Sequence, residues 1–158
     1  MRLKDLMNHL PQQGTVEWIG IRTARLAPVE PVDEVFADPQ KGLDGDHYAG
    51  KSGKRQVTLI QAEHISAVAS MLGRRDIEPA VLRRNLVVRG INLLALKGKE
   101  FNVGDATLTY TGLCQPCARM EELLGPGGYN AMRGHGGITA RVVAEGLIAL
   151  GSPVNVKA

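Results

Sequence analysis

Apolar and polar residues in this chain alternate over short stretches far more often than they repeat at helical spacing. Gly14-Thr-Val-Glu-Trp-Ile-Gly-Ile-Arg-Thr23, Arg55 to Leu59, Asn85-Leu-Val-Val-Arg-Gly90 and Ile138-Thr-Ala-Arg-Val-Val143 each have the composition of a strand. In the last of these, Arg141 falls on the face opposite Ala140 and Val142. Glu100 to Val103 and Ala106 to Tyr110 read as the arms of a hairpin turning on Gly104-Asp105. Leu147 to Val156 closes the chain, and the proline-rich stretch from Leu26 to Pro39 predicts irregular or edge-strand structure. Helical spacing is confined to a few segments. Leu3, Leu6, Met7 and Leu10 predict a short amphipathic helix packed on the body of the domain and ended by Pro11. Ile65, Val68, Ala69, Met71 and Leu72 mark a longer one that Gly73 stops. Pro79 opens a short helix within 76–84, and Met120, Leu123 and Leu124 lie on another that ends at Gly125-Pro126. About seven or more short strands with two or three helices, in no regular alternation, predict a mainly β protein with a few helices (α+β). A closed or partly closed β-barrel fits that pattern better than a doubly wound sheet.

Length and composition narrow the class. At 158 residues the chain reads as one domain, with a core over about 14–156 and a helical extension over 1–11. The first helix is interrupted by Lys4, Asp5, Asn8 and His9, unlike a signal peptide, and no apolar run approaches a membrane span. With closely spaced cysteines and no export signal, a reducing cytoplasm is the expected compartment. One Trp, three Tyr and two Phe argue against an aromatic platform for single-stranded nucleic acid. The net charge is +3, with basic residues scattered apart from the pairs Lys54-Arg55, Arg74-Arg75 and Arg83-Arg84. Neither nucleic acid nor membrane is therefore an expected partner. Twelve of the nineteen basic residues are arginine, the side chain shaped for bidentate contact with phosphate or carboxylate, which suits a small anionic ligand.

Candidate chemistry centres on Thr111 to Gly125, which holds the only two cysteines, Cys114 and Cys117. Pro116 at the first helical position would place Cys117 in the first turn, facing unpaired backbone amides, with Arg119 two residues on. Such a position favours the thiolate, which attacks electrophiles, carries sulfur or binds metal. Packing is the competing reading for both cysteines, and a resolving role is a further one for Cys114. Lys41-Gly-Leu-Asp-Gly-Asp-His-Tyr48 is a tight polar turn in which Asp46 and His47 either bond local backbone or orient a ligand. Gly50 to Arg55 is a basic loop without the spacing of a phosphate-binding P-loop. His64 reads as a surface or boundary residue. Six glycines between Gly125 and Gly137, with Tyr129, Arg133 and His135 among them, either let backbone approach a ligand or cover one end of a barrel.

Four pieces in order resemble the MOSC domain, the module named for the C-terminal part of molybdenum-cofactor sulfurases and also found as small stand-alone bacterial proteins. They are Gly42-Leu-Asp-Gly-Asp-His47, Arg83-Arg-Asn-Leu86 ahead of Gly90, Leu113-Cys-Gln-Pro-Cys117, and Gly136-Gly-Ile-Thr-Ala-Arg-Val followed by Gly146-Leu-Ile-Ala-Leu-Gly151. The resemblance runs from about Gly14 to Val156. It implies a barrel-rich fold and a cysteine, matching Cys117, that accepts sulfur as a persulfide or ligates molybdenum in the pterin cofactor. Cys114 is the second candidate. Arg83 and Asn85 match the family's R-x-N-L motif, with Arg84 adjacent, and its anion-contacting basic groups would correspond to some of His47, Arg133 and Arg141, with Asp46 and His135 as further candidate cofactor contacts. The family usually has arginine where His47 stands, so the resemblance implies a phosphate contact that is either weaker or supplied by Lys54 or Arg55.

The implied cofactors are molybdopterin or bound sulfane sulfur, and the family's associations extend to pyridoxal phosphate binding. The implied partners are a protein that donates sulfur or electrons, since no cysteine-desulfurase domain is present, and the implied chemistry extends to reduction of N-hydroxylated compounds. Two readings from other classes stay open. One is a dithiol oxidoreductase using Cys114 and Cys117, although the flanking βαβ pattern is missing. The other is a zinc-binding scaffold using Cys114, Cys117 and His135, one ligand short of a tetrahedral site.

Overall fold

A computed structural model describes residues 1–47 and 52–158. Tyr48, Gly50 and Lys51, which the sequence assigns to a polar turn and a basic loop, lie outside the described residues. The elements in order are α1 (Leu3–Met7), β1 (Gly14–Arg22), β2 (Val29–Val32), β3 (Glu34–Asp38), β4 (Gly42–Leu43), β5 (Val57–Gln61), α2 (Ala62–Met71), α3 (Pro79–Leu82) and β6 (Leu86–Arg89). A 3-10 turn at Leu93–Leu96 precedes β7 (Glu100–Val103), β8 (Ala106–Leu113), α4 (Ala118–Leu124), α5 (Gly128–Met132), β9 (Ile138–Ala144), β10 (Gly146–Ala149) and β11 (Pro153–Val156).

The large sheet runs β11-β7-β8-β9-β5-β6-β1-β2, and β11 also pairs with β1, so seven strands close on themselves while β2 stays outside the ring. Closure removes the edges that an open sheet of these strands would expose. Alternation decides which side chains fill the barrel. Leu59, Leu86, Phe101, Leu108, Ile138, Ala140 and Val154 point inward and are fully buried, whereas Arg141 between Ala140 and Val142 is exposed. The 7–8 hairpin turns on Gly104-Asp105, with Val103 opposite Ala106.

One departure from an all-antiparallel barrel sets up the site. β5 and β6 are parallel, joined by a crossover through α2 and α3. These helices, with α4 and α5, cover the outer faces of β5 and β6, so β5 is buried on both faces. A second core forms there from Ile60, Val87, Val68, Leu82, Met120, Leu124 and Met132. The glycine-rich stretch before β9 therefore contains a helix, α5, that its six glycines concealed. A separate small sheet, β10-β3-β4, brings the proline-rich region against the end of the chain.

The first helix departs from expectation. No residue of α1 is buried, and Leu3, Leu6 and Met7 stand out into solvent. Only Leu10, beyond the helix, packs against the barrel core. Among the described residues, no helix is long and apolar enough to cross a membrane.

Candidate functional site

The end of the barrel where β1 finishes carries a cavity of about 380 Å³. Five arginines line it, Arg22, Arg25, Arg55, Arg83 and Arg119, together with His47, Ser52 and Thr58. They come from five separate places: the end of β1, the β1–β2 turn, the loop before β5, the residue after α3, and the first turn of α4. Its size falls in the roughly 300–1,000 Å³ range of small-molecule sites.

A buried carboxylate holds this wall in place. The Asp46 side chain is 1% exposed and accepts from the Arg22 backbone N–H at 2.7 Å and from the Arg22 guanidinium at 3.3 Å. Asn85 Nδ2 also donates to Asp46 at 3.3 Å, and to the Gly20 carbonyl at 3.1 Å. Its Oδ1 accepts from the Thr58 backbone N–H at 3.0 Å and from the Thr58 hydroxyl at 3.1 Å. Asn85 is fully buried, with both amide ends committed inside the protein. For Asp46 and Asn85 the sequence leaves open a structural hydrogen bond or a ligand contact; here their side chains bond to protein partners and position Arg22 and Thr58. Asp46→Asn removes the charge opposite Arg22 from a closed network. Because Arg22 keeps some water access, the expected loss is about 2–4 kcal/mol, checked by urea denaturation of both proteins.

The arginines are not neutralised in turn. The one ion pair among the described residues that involves the cavity is Arg22–Asp46. Burial lowers the Arg83 pKa from its usual value; Arg119 and Arg22 lower it further, and Asp46 opposes them. The Arg119 Nε is buried and has no hydrogen-bond partner. Backbone strain gathers here too. Leu26 (φ 65°) and Arg83 (φ 60°) are the non-glycine residues in the left-handed region among the described residues, and both line the cavity. A hydrogen bond of 2.7 Å from Arg83 to the Ala27 carbonyl ties them together. Left-handed backbone at a side-chain-bearing residue costs on the order of 1–2 kcal/mol. Five arginines facing a single buried carboxylate leave the cavity an excess of positive charge, which suits an anion.

The cysteines part company. Cys117 is exposed and is the N-cap of α4 rather than a residue of its first turn, as its φ of −128° and ψ of 178° show. Pro116 accordingly precedes the cap instead of opening the helix. Cys117 lies outside the cavity lining but two residues before Arg119, which belongs to it. Cys114 is buried, its N–H donating to the Gly137 carbonyl at 2.8 Å and its own carbonyl accepting from Arg84 at 3.3 Å. Arg84 also donates to Gly136 and Leu82 carbonyls at 2.9 Å each, so this buried guanidinium clamps the cysteine segment to the glycine loop. A separate cavity of about 90 Å³ lies between Cys114 and Gly134, Gly136 and Gly137.

The other residues singled out in the sequence lie apart from the cationic cavity. Arg133 is exposed and donates to Asn130 at 3.4 Å. His135 packs edge-on against His64, ring centroids 5.1 Å apart, and its Nδ1 lies 3.2 Å from the Ala131 carbonyl. His64 is thus a boundary residue whose pKa is lowered, first by burial and then by His135. Arg141 lies on the outer face of β9, its stem beside Gly53. Of the two basic residues offered in place of the family arginine, Arg55 lines the cavity and Lys54 does not. Arg22 and Arg25 escaped the sequence reading. Their only local signal is a pair of arginines at the end of an alternating strand. Among the described residues no three His, Cys, Asp or Glu side chains come together as a metal-binding group, which leaves the zinc scaffold without its ligands.

The molecule is thus a small seven-stranded β-barrel with helices on one side, an arginine-lined cavity at one end and an exposed cysteine two residues before one of the lining arginines. The MOSC domain family model matches residues 39–155, and the chain belongs to that family. Among curated proteins, none matches it. The fold is similar to that of the YuaD protein from Bacillus subtilis, with a TM-score of 0.79 and 20% identity over 93% of this chain and 97% of that one. It is also similar to YiiM from Geobacillus stearothermophilus, with a TM-score of 0.73 and 19% identity over 92% and 75% of the two chains. For YiiM from Escherichia coli the TM-score is 0.69, with 19% identity over 91% and 70%.

Proposed function

We propose that Cys117 is the working thiol of a sulfur-carrying or molybdenum-cofactor-binding MOSC protein, and that the arginine cavity holds the anionic part of what it handles. The observation that carries this reading is the exposed Cys117 at the cap of α4, two residues before Arg119, whose buried Nε has no partner. The residues fit an anionic cofactor. Arg22, Arg83 and Arg119 would take a phosphate, and Cys117 offers the soft sulfur ligand that molybdenum accepts. When bound, the metal would supply the redox chemistry; the chain's own part is to bind and orient the group.

As a sulfur carrier, Cys117 as thiolate attacks the outer sulfur of a donor persulfide. The donor's S–S bond breaks, the donor leaves as a thiolate, and Cys117 becomes the persulfide. The donor is another protein or a small persulfide. Cys114 is buried in backbone hydrogen bonds, which favours single-thiol chemistry over a dithiol couple.

The test is molybdenum and sulfane-sulfur content of protein purified without reductant. Wild type and Cys114→Ser are expected to carry one or the other, and Cys117→Ser neither. Equal content in Cys117→Ser and wild type would remove the proposal. Turnover of disulfides that needs both cysteines and no cofactor would favour the oxidoreductase.

A further inference from the structure

Outside the lining of the cationic cavity, the structure leaves two exposed apolar features that match each other. One is α1, with Leu3 78%, Leu6 46% and Met7 67% exposed. On a helix of 3.6 residues per turn these three share one stripe; Arg2 and Lys4 flank it and Asp5 lies behind. The other is a groove of about 220 Å³ where β1 and β2 meet the small sheet, lined by Ile21, Val35, Phe36 and Leu147 with Glu34 and Asp44 at its rim. Phe36 and Leu147 are cross-strand partners, 41% and 40% exposed. Neither carboxylate has a basic partner among the described residues. The groove is smaller than the roughly 300 Å³ at which small-molecule sites begin, and suits inserted side chains better than a metabolite.

We propose that the groove receives α1 of a second copy of this chain, the exchange being reciprocal and closing a two-fold dimer. Charge complementarity selects this occupant: an apolar stripe edged by Arg2 and Lys4 meets an apolar trough edged by Glu34 and Asp44. The helix of the same copy cannot reach. Leu10 is fixed on the barrel core and Lys99 donates to Asn8 at 2.7 Å, which holds α1 near the start of β1. Ile21 stands near the other end of that strand, seven residues beyond Gly14, a distance of about 23 Å at strand rise. Two such contacts per dimer shield the exposed leucines and Phe36 from water.

The experiment is the solution mass of the full chain by sedimentation equilibrium, from about 10 μM to about 1 mM, a range suited to a small interface. Wild type is expected to rise above its 17.0 kDa chain mass. Leu6→Asp is expected to weaken association about tenfold or more. Arg2→Glu/Lys4→Glu and Glu34→Lys/Asp44→Lys should each stay monomeric alone, since each places like charges in both contacts. Mixed, the two should associate, because every helix then meets a groove of opposite sign. All these residues are exposed, so the fold survives the changes. Wild type that stays monomeric throughout would overturn the proposal. So would charge variants that associate as wild type does, or a mixture that stays monomeric.

Discussion

Gly137→Ala is expected to leave little soluble, folded protein. Gly137 has φ +89°, and a Cβ there would lie 1.9 Å from the Leu59 carbonyl oxygen and 3.0 Å from the Ile60 Cα. Both neighbours are backbone of β5, a strand buried on both faces, and neither has room to yield. The clash and the left-handed backbone together should exceed about 4–5 kcal/mol, against a total stability of about 5–15 kcal/mol for a domain of this kind. Gly134→Ala in the same loop is the control: φ is +80° but nothing lies within 4 Å of the added carbon. Its expected cost is the backbone strain alone, about 1–2 kcal/mol. Soluble yield and far-ultraviolet circular dichroism of the pair measure the difference.

Arg119→Glu is expected to weaken binding of a small polyanion by about 100-fold or more. The side chain it replaces lines the cavity and carries a buried Nε with no hydrogen-bond partner, and the new carboxylate would stand among the remaining arginines. Folding should be little affected, because the change relieves the like-charge crowding that helps to lower the Arg83 pKa, after burial. Arg133→Glu and Arg141→Glu, both exposed and outside the cavity lining, should change affinity less than about threefold. Calorimetric titration with pyrophosphate separates the two outcomes. Equal losses at all three positions would mean that only net charge matters.

The contrast between those arginines marks what could be read from the chain alone. Strands with one buried face declare themselves by period two, so Ile138 to Val143 and the hairpin around Gly104-Asp105 were legible, as was the barrel class. The cavity was not. Arg22, Arg55, Arg83 and Arg119 are brought together by barrel closure and by the parallel β5–β6 crossover, which no local pattern encodes. Arg133 and His135 looked functional because they sit among glycines. Gly136 and Gly137 serve close approach of one backbone to another, at Cys114 and Leu59. Asp46 and Asn85 stand out as candidate residues, whereas the network they build does not. Their polarity is visible in sequence, whereas their burial depends on Gly20, Arg22 and Thr58 arriving from elsewhere. Similarly, the apolar spacing of α1 suggested packing within the chain, but spacing alone does not say which surface covers a stripe.

The central claim is that Cys117 and the arginine cavity act as one site. Its most direct test is the rate of Cys117 alkylation by iodoacetamide, followed by peptide mass spectrometry as pyrophosphate is added. An anion held by Arg119 should slow Cys117 modification with the same midpoint that calorimetry gives, leave buried Cys114 unlabelled throughout, and lose its effect in Arg119→Glu. A Cys117 rate indifferent to pyrophosphate that is demonstrably bound would contradict the account.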